Sequence, residues 1–343
     1  MRFARLVVFF SVVVILSYIY MYITLHKNVP HETSRFTKDE ETFGKLNGDE
    51  IQELYTKDYS ISEIETRVQR EREEIEQLFG LARRRLSDVI LAGIFKSGTG
   101  TMSIWLSSHP QIVQVKHIVG YYETRYNYAD HLASIPDIPN DKIMYERCTE
   151  CFTSPNAVER VLAAYPQRNV KFLIMIRDPI VRLISEYIQR IVQKDEDKTF
   201  EEEIFTSNGE VHADISHKYV HRSIYVIHLA KWLMLFPRRN IHLVDAESFT
   251  QTPWIELEKI ERFLQIDHFF SEDRFPPNPD KPNFRCFIDN FESEAHCMGY
   301  QKGRSHPNIT EESIQKLRKY FKPYNEQFFT LAGQRFSWSV NYD

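Results

Sequence analysis

The residues best suited to chemistry lie in a short segment, LAGIFKSGTGTM, at residues 91–102. Its lysine precedes the small residues, whereas a Walker A loop carries its lysine after the last glycine. When such a segment joins a strand to a helix, the loop amides and the helix N-terminus together bind an anion. We therefore predict a site for a terminal phosphate or sulfate; the alternative is a tight turn with an incidental lysine. The candidate residues are Lys96, Ser97, Gly98, Thr99, Gly100 and Thr101.

Two further segments carry cations that suit the same kind of ligand. The segment IMIRDPIVRLISEY places Arg177 at the end of a predicted strand and Ser185 in the helix that follows. A guanidinium and a hydroxyl at these positions favour a second phosphate group, because charge-assisted hydrogen bonds are strong. The segment QKGRSHP is a third candidate anion loop, with Lys302, Gly303 and Arg304.

The elements that must position these residues alternate between strands and helices. The apolar run DVILAGIF predicts a buried strand before the loop, and TMSIWLSSHP predicts a helix that ends at Pro110. Farther along, QIVQV, NVKFLIMI and NIHLVD predict strands, whereas DPIVRLISEYIQRIVQK and HRSIYVIHLAKWLMLF predict helices. This alternation is typical of an α/β protein. We therefore predict a P-loop-like three-layer fold with a central parallel sheet covered on both faces.

The N-terminal 27 residues have a different character. From Leu6 to Leu25 no residue is charged, and about 20 apolar residues are enough to cross a bilayer. Arg2 and Arg5 precede this run, so the positive-inside rule predicts a single-pass type II anchor with the rest of the chain in the lumen. An unusually long signal peptide is the alternative. The predicted parts are a short tip and transmembrane anchor (1–27), a stem that includes a charged helix at 62–86 (28–87), and a folded domain (88–343).

Composition limits the partners and the compartment. The 343 residues carry a formal net charge of -5, so the chain as a whole is not a basic nucleic-acid binder. In an oxidising lumen the pairs Cys148–Cys151 and Cys286–Cys297 could each form a disulfide, and a four-cysteine zinc site is the disfavoured alternative. Asn308 begins an N-x-[ST] sequon and is a candidate glycosylation site.

Taken in order, the three anion segments resemble those of the heparan sulfate glucosamine 3-O-sulfotransferases, Golgi enzymes that use 3′-phosphoadenosine 5′-phosphosulfate (PAPS). The family's 5′-phosphosulfate loop, K-x-G-T, matches KSGT from Lys96, and its 3′-phosphate element, R-D-P-x-x-R-x-x-S-x-Y, matches the segment from Arg177 to Tyr187. Its C-terminal loop, K-G-R-x-H-P, matches KGRSHP from Lys302, and its disulfide before that loop matches the second cysteine pair. The resemblance covers residues 88–340.

This resemblance implies a sulfotransferase fold, PAPS as the sulfuryl donor and a luminal domain anchored in the Golgi membrane. The implied reaction is transfer of the sulfuryl group to a hydroxyl or amino group of a glycosaminoglycan, most directly to the 3-hydroxyl of glucosamine in heparan sulfate. Lys96 then serves both as a ligand of the donor and as a catalytic cation. Lys116 and Arg147 are the candidate ligands of the acceptor.

One catalytic position departs from the family pattern. The segment KHIVGYY occupies the place of the family's E-V-H-F-F, so the glutamate that serves as base falls on Ile118, which cannot accept a proton. Glu123 is the first candidate for a substitute base and His117 the second. Two alternatives stay open: a protein that binds PAPS or glycan without efficient transfer, and a sulfotransferase for another acceptor, such as a protein tyrosine. A P-loop kinase is disfavoured because the G-K-[ST] sequence is missing.

A second departure lies in YERCTECF, where the family has E-K-T-P-A-Y-F. Glu146 is kept and the lysine becomes Arg147, which preserves the charge but not the shape of the side chain. The proline and alanine positions are replaced, and Cys148 and Cys151 appear close to the expected acceptor cleft. These two cysteines are expected either to form a constrained disulfide or to remain free thiols in the core.

Overall fold

The computed structural model describes most of the second of the chain's two structural units, Ile61–Asp343. The described residues are 66–70, 73, 85–115, 122, 131, 135–194, 198–212, 218–289, 294–297 and 309–342. Within these residues no helix has the length and apolar character that a bilayer-spanning segment needs. The expected anchor at 6–25 lies outside them. Of the charged helix expected at 62–86, residues 66–70 and 73 are described, and they are helical.

A five-stranded sheet with the order β2-β3-β1-β4-β5 forms the centre of the domain. Every neighbouring pair of strands in it is parallel. The chain reaches β3 on one side of β1 and then crosses to β4 on the other side, so the strand order reverses around β1. Such a switch point at the carboxyl edge of a parallel sheet is where ligands bind. The strands are β1 Val89–Ala92, β2 Ile112–Val115, β3 Ile143–Cys148, β4 Lys171–Ile176 and β5 Ile241–Asp245.

Besides the helical residues 66–70 and 73, nine α-helices have defined bounds in the described part of the chain. They are α1 Thr99–Leu106, α2 Ala157–Ala164, α3 Pro179–Lys194, α4 Phe200–Ile204, α5 Lys218–His221, α6 Tyr225–Leu235, α7 Ala246–Gln251, α8 Pro253–Leu264 and α9 Glu311–Ala332. Short 3-10 segments occur at Arg238–Asn240, Glu272–Arg274 and Ser337–Tyr342.

The helices cover both faces of the sheet with separate hydrophobic cores. On one face Ile90 and Phe172 pack with residues of α2, α3, α6 and α9, including Trp232. On the other face Leu91 packs with residues of α1, α7 and α8, including Trp105. Because adjacent strand residues point to opposite faces, the uninterrupted apolar runs of β1 and β4 serve both cores. The predicted three-layer α/β fold with a central parallel sheet is confirmed.

Strand β3 was not expected from the sequence. Its run, IMYERC, contains Glu146 and Arg147, and these charges interrupt the apolar pattern typical of a buried strand. The structure nevertheless places it between β1 and β2, pairing Tyr145–Cys148 with β1 and Ile143–Glu146 with β2. Glu146 is 2% exposed, and its carboxylate lies 3.4 Å from the ring of His131, which is also buried.

All four cysteines form disulfides. Cys286 is joined to Cys297 beside a small antiparallel hairpin of β6, Phe287–Ile288, and β7, Ala295–His296. Cys148 is joined to Cys151 and closes the turn that follows β3. This pairing leaves no thiolate for the zinc site that the sequence left as an alternative.

A core substitution tests the packing between β4 and α6. Phe172 is fully buried, and its ring lies 4.8 Å from the ring centroids of both Trp232 and Phe236. We expect Phe172→Ala to lower the free energy of unfolding by about 3–5 kcal/mol, since it leaves a cavity between two layers. Denaturant unfolding of the protein measures this, with Val340→Ala at a 69% exposed position as the control. Equal stability of the two variants would contradict the packing described.

Candidate anion-binding site at the carboxyl edge of the sheet

The predicted loop connects β1 to α1 and is fixed to the neighbouring strand β3. The amide of Gly93 donates a hydrogen bond to the carbonyl of Cys148 at 2.7 Å, and its carbonyl accepts one from the amide of Phe152 at 3.2 Å. A Cβ atom at position 93 would lie 2.6 Å from the carbonyl oxygen of Thr149. Only glycine permits this approach, so the first glycine of the segment attaches the loop to the turn after β3.

The second half of the loop turns sharply into α1. Lys96 and Gly98 both have positive φ angles, 74° and 101°, and the carbonyl of Gly98 begins the hydrogen bonds of the helix. The side chains of Ser97 and Thr99 are buried. The hydroxyl of Ser97 has no hydrogen-bond partner among the described residues. A buried hydroxyl at a helix N-terminus that lacks a partner indicates that an anionic ligand completes the site.

Arg177 and Lys96, the cations of the first two predicted anion segments, lie close together in the fold. Arg177 follows the last residue of β4, and its Nη1 donates to the carbonyl of Lys96 at 2.9 Å. The Nζ of Lys96 donates to Oε1 of Gln189 on α3 at 3.2 Å. Ser185 lies one turn before Gln189 on the same helix and is half-buried. The ends of β1 and β4 and the half-buried face of α3 that carries Ser185 and Gln189 therefore surround one site.

The loop is held by a buried charge network that the sequence analysis did not predict, although it placed Arg182 in the R-D-P-x-x-R motif. Arg182 is fully buried and donates from Nη1 both to the carbonyl of Phe95, at 3.2 Å, and to Glu186, at 2.6 Å. Glu186 is also fully buried and accepts from Arg190 and Arg222 as well. Burial alone raises the pKa of Glu186, but the charges of Arg182 and Arg222 outweigh it and hold the pKa below its usual value.

Arg222 extends this network to the turn after β3. Its Nη1 donates to Glu186 and its Nη2 to Glu150, each at 2.5 Å. Its guanidinium also lies 6.0 Å from the ring centroid of Phe95, and the ammonium of Lys96 lies 5.7 Å from that same centroid. The network therefore links α3, the loop and the Cys148–Cys151 turn. A sequence signal existed, because Arg182, Glu186 and Arg190 follow each other at helical i, i+4 spacing.

A second missed carboxylate lies beside Arg177. Oε1 of Glu247 is 3.9 Å from Nε of Arg177 and accepts a hydrogen bond from the amide of Asp178, while Oε2 is buried without a described partner. Burial raises the pKa of Glu247 to about 7, although the charge of Arg177 opposes the shift. Near neutral pH this site therefore holds a carboxyl group that is poised between its two protonation states.

The structure describes one of the remaining predicted site residues and leaves the others undescribed. Arg147 is described, and its side chain is exposed on β3. The other predicted residues lie outside the described residues and remain predictions. They are the acceptor ligand Lys116, the base candidates His117 and Glu123, the C-terminal loop of Lys302, Gly303 and Arg304, and the sequon residue Asn308.

Three features together indicate the class of protein. The loop carries its lysine before the helix, it lies at the switch point of a parallel sheet, and it contacts Arg177 from the adjacent strand β4. The chain belongs to the sulfotransferase family, since the family model described as "Sulfotransferase domain" matches residues 86–329. The chain is 29% identical over 262 residues to human heparan sulfate glucosamine 3-O-sulfotransferase 3B1, a match that covers 76% of this chain and 66% of that protein. It is therefore a divergent relative of those enzymes.

Other relatives agree with this assignment. Human heparan sulfate glucosamine 3-O-sulfotransferase 3A1 is 29% identical over 74% of this chain and 63% of its own length, so the match spans just under two thirds of both human proteins. Mouse heparan sulfate glucosamine 3-O-sulfotransferase 5 is 29% identical over 74% of this chain and 75% of its own. A crystal structure of a sulfotransferase from Alicyclobacillus acidocaldarius, 18% identical, aligns with 75% of this chain and all of that one at a TM-score of 0.54, which shows the shared fold.

The buried charge network makes Glu186 important for stability. We expect Glu186→Gln to lower the free energy of unfolding by about 3–5 kcal/mol, because it leaves the fully buried guanidinium of Arg182 without its counter-charge. Chemical denaturation at neutral pH measures the loss. Glu326→Gln, at a solvent-exposed ion pair with Arg335, is the control and should change stability by less than about 1 kcal/mol. A similar small effect for Glu186→Gln would refute the role of this network.

Glu247 should make stability depend on pH. Its pKa is higher in the folded chain than in the unfolded chain, so the folded state binds the extra proton between about pH 4.5 and 7. Stability attributable to Glu247 therefore falls as pH rises through that window and stays low above it. We expect the free energy of unfolding of Glu247→Gln, relative to that of the wild type, to rise by about 1–3 kcal/mol between pH 5 and pH 8. Unfolding at both pH values measures this, and Glu258→Gln on the exposed surface should show no such change.

Proposed function

We propose that the chain binds PAPS at the β1–α1 loop and transfers its sulfuryl group to a glycosaminoglycan hydroxyl, most directly the 3-hydroxyl of glucosamine in heparan sulfate. The observation that carries the proposal is the hydrogen bond between Arg177 and the carbonyl of Lys96. It brings the cation of the 5′-phosphosulfate loop and the cation of the 3′-phosphate element to one edge of the sheet. Two phosphate-type groups on one nucleotide fit that arrangement, whereas a Walker A site needs only one loop.

The described residues have distinct tasks in this reaction. The amides at the start of α1, with the hydroxyls of Ser97 and Thr99, bind the 5′-phosphosulfate. Lys96 stabilises the negative charge that develops on the leaving phosphate as the bond to sulfur breaks. Arg177 and Ser185 bind the 3′-phosphate and fix the nucleotide in place. Arg182 holds the loop through the carbonyl of Phe95, so the loop is already in position before the ligand arrives.

Two observations support heparan sulfate as the acceptor in this proposal. The curated relatives reported above are named as heparan sulfate enzymes. In addition, Arg147 is exposed at β3, next to the strand that carries the loop, and a cation there suits a sulfated or carboxylated sugar. The second candidate function is binding of PAPS or glycan with little transfer, or transfer to another acceptor. The isoleucine at position 118, where the resembling enzymes have a glutamate, favours that candidate.

We further propose that the domain is luminal and that residues 6–25 anchor it in the Golgi membrane as a type II protein. Two disulfides in a chain with four cysteines support an oxidising compartment. Removal of N-linked glycan tests this for the full chain in cells. A mobility shift that is lost in Asn308→Gln supports luminal exposure of the sequon, and full protease sensitivity of the domain in sealed microsomes would contradict it.

Binding of 3′,5′-ADP, the product nucleotide, tests the donor site without an acceptor. We expect calorimetry to show binding, and Arg177→Ala to weaken it by about 2–5 kcal/mol because a desolvated charge pair with the 3′-phosphate is lost. The matched control is Arg318→Ala on the surface of α9, which should leave the affinity unchanged. Absence of binding tighter than about 1 mM would refute the proposed donor.

A further inference from the structure

A carboxylate occupies the turn after β3, at the same edge of the sheet as the β1–α1 loop. Glu150 lies between Cys148 and Cys151, directly beyond the end of β3, and β3 pairs with β1 in parallel. The carboxyl ends of these two strands therefore meet at the same edge. One strand leads into the phosphosulfate loop and the other into Glu150. The family's glutamate base is replaced by Ile118 in this sequence, so another acidic side chain at this edge could serve as the base.

The turn that carries Glu150 is held rigidly against the loop. The Cys148–Cys151 disulfide closes it, and the carbonyl of Glu150 accepts hydrogen bonds from the amides of Thr153, at 3.1 Å, and Ser154, at 2.9 Å. The two hydrogen bonds of Gly93 join its ends to the start of the phosphosulfate loop. A reacting group must be held within a fraction of an ångström, and a disulfide-closed turn attached to the loop satisfies this requirement.

The side chain of Glu150 is oriented by Arg222. Oε2 accepts from Nη2 of Arg222 at 2.5 Å, and the same guanidinium lies over Phe95, the neighbour of Lys96. Arg222 is itself fixed by the buried carboxylate of Glu186. Despite this pairing the Glu150 side chain remains 38% exposed, so solvent or an acceptor can reach it. It therefore combines a fixed orientation with access, which a general base needs.

The other carboxylates that the structure describes at this edge are placed for other tasks. Glu186 is fully buried under three arginines, and Glu146 is 2% exposed against His131. Asp178 is 4% exposed and accepts from the hydroxyl of Tyr342. Glu247 lies on Arg177 at the end of β4, on the 3′-phosphate side of the site. Among these groups, Glu150 has the most exposed side chain, and Arg222 links it to Phe95, the neighbour of Lys96.

We propose that Glu150 is the general base of this protein, a proposal that rests on the donor site argued above. The acceptor hydroxyl gives its proton to the Glu150 carboxylate while its oxygen forms a bond to the sulfur of the sulfuryl group. The bond from that sulfur to the bridging oxygen of the 5′-phosphate breaks, and its electron pair stays on the phosphate, where Lys96 stabilises it. The products are the sulfate ester, 3′,5′-ADP and a proton held on Glu150.

The test uses water as the acceptor, so that the natural acceptor need not be known. Incubated with PAPS alone, the wild-type protein should release sulfate and 3′,5′-ADP slowly, with Glu150 taking a proton from water. Glu150→Gln preserves the shape of the side chain and an oxygen that can accept from Arg222. We expect it to lower this rate, and the rate of transfer to heparan sulfate, by about 10²–10⁴-fold. Its dissociation constant for 3′,5′-ADP should stay within about twofold of the wild-type value.

A pH profile separates a base from a merely structural residue. The wild-type rate should fall at acid pH as the base becomes protonated, and the residual rate of Glu150→Gln should lack that fall. Glu312→Gln, an exposed position on α9, is the control and should match the wild type in rate and pH profile. Glu123→Gln completes the set, because Glu123 is the competing candidate from the sequence.

The results for these variants decide whether Glu150 is the general base. Loss of turnover in Glu150→Gln with normal 3′,5′-ADP binding and no acid limb supports the inference. Normal turnover in Glu150→Gln, with loss of turnover in Glu123→Gln, overturns it, and so does loss of 3′,5′-ADP binding in Glu150→Gln, which would indicate a positioning role. A wild-type protein that binds 3′,5′-ADP but turns over neither water nor glycan also overturns it and leaves the donor site standing. Failure of the wild type to bind 3′,5′-ADP refutes the donor site, and the proposed base with it.

Discussion

The buried carboxylate of Glu186 is the group on which the geometry of the site depends. It neutralises Arg182, which holds a carbonyl of the phosphosulfate loop, and it fixes Arg222, which reaches the turn after β3. Three arginines converge on this one carboxylate, so the region keeps positive charge that a ligand can use. An anion therefore meets cations that are already oriented, and little free energy is spent on ordering them at the moment of binding.

A second constraint comes from the close approach of two backbones. Gly93 has no side chain, and this lets the loop after β1 contact the turn after β3 at a distance that a Cβ atom would not permit. The disulfide between Cys148 and Cys151 fixes that same turn from its other side. The cysteines that depart from the family pattern thus lie where the loop needs support. The carbonyl of Cys148 itself accepts the hydrogen bond from the amide of Gly93.

The sequence keeps the two cationic segments that the resemblance assigns to the donor, and it departs from the family pattern at the position of the base. Lys96 and Arg177 keep the arrangement that the resemblance implies, and a direct hydrogen bond joins their segments. The position of the family's base carries Ile118, whereas Glu150 introduces a carboxylate on the neighbouring strand end. In the proposed reaction, binding of the nucleotide and removal of the acceptor proton rely on different residues, so one can change while the other is kept. This separation is consistent with the modest identity to relatives of known acceptor.

The sequence by itself determined the alternating architecture, the strand–loop–helix site and the residues Lys96 and Arg177, because these depend on local pattern and on residue types that suit anions. It did not reveal β3, whose charged residues hide a strand that is defined by its two neighbours. Nor did it reveal that Arg222 contacts both Glu186 and Glu150, because these residues lie 36 and 72 positions away from it along the chain. Contacts over such separations follow from how the strands are ordered and how the helices pack on them, and only the tertiary structure decides that.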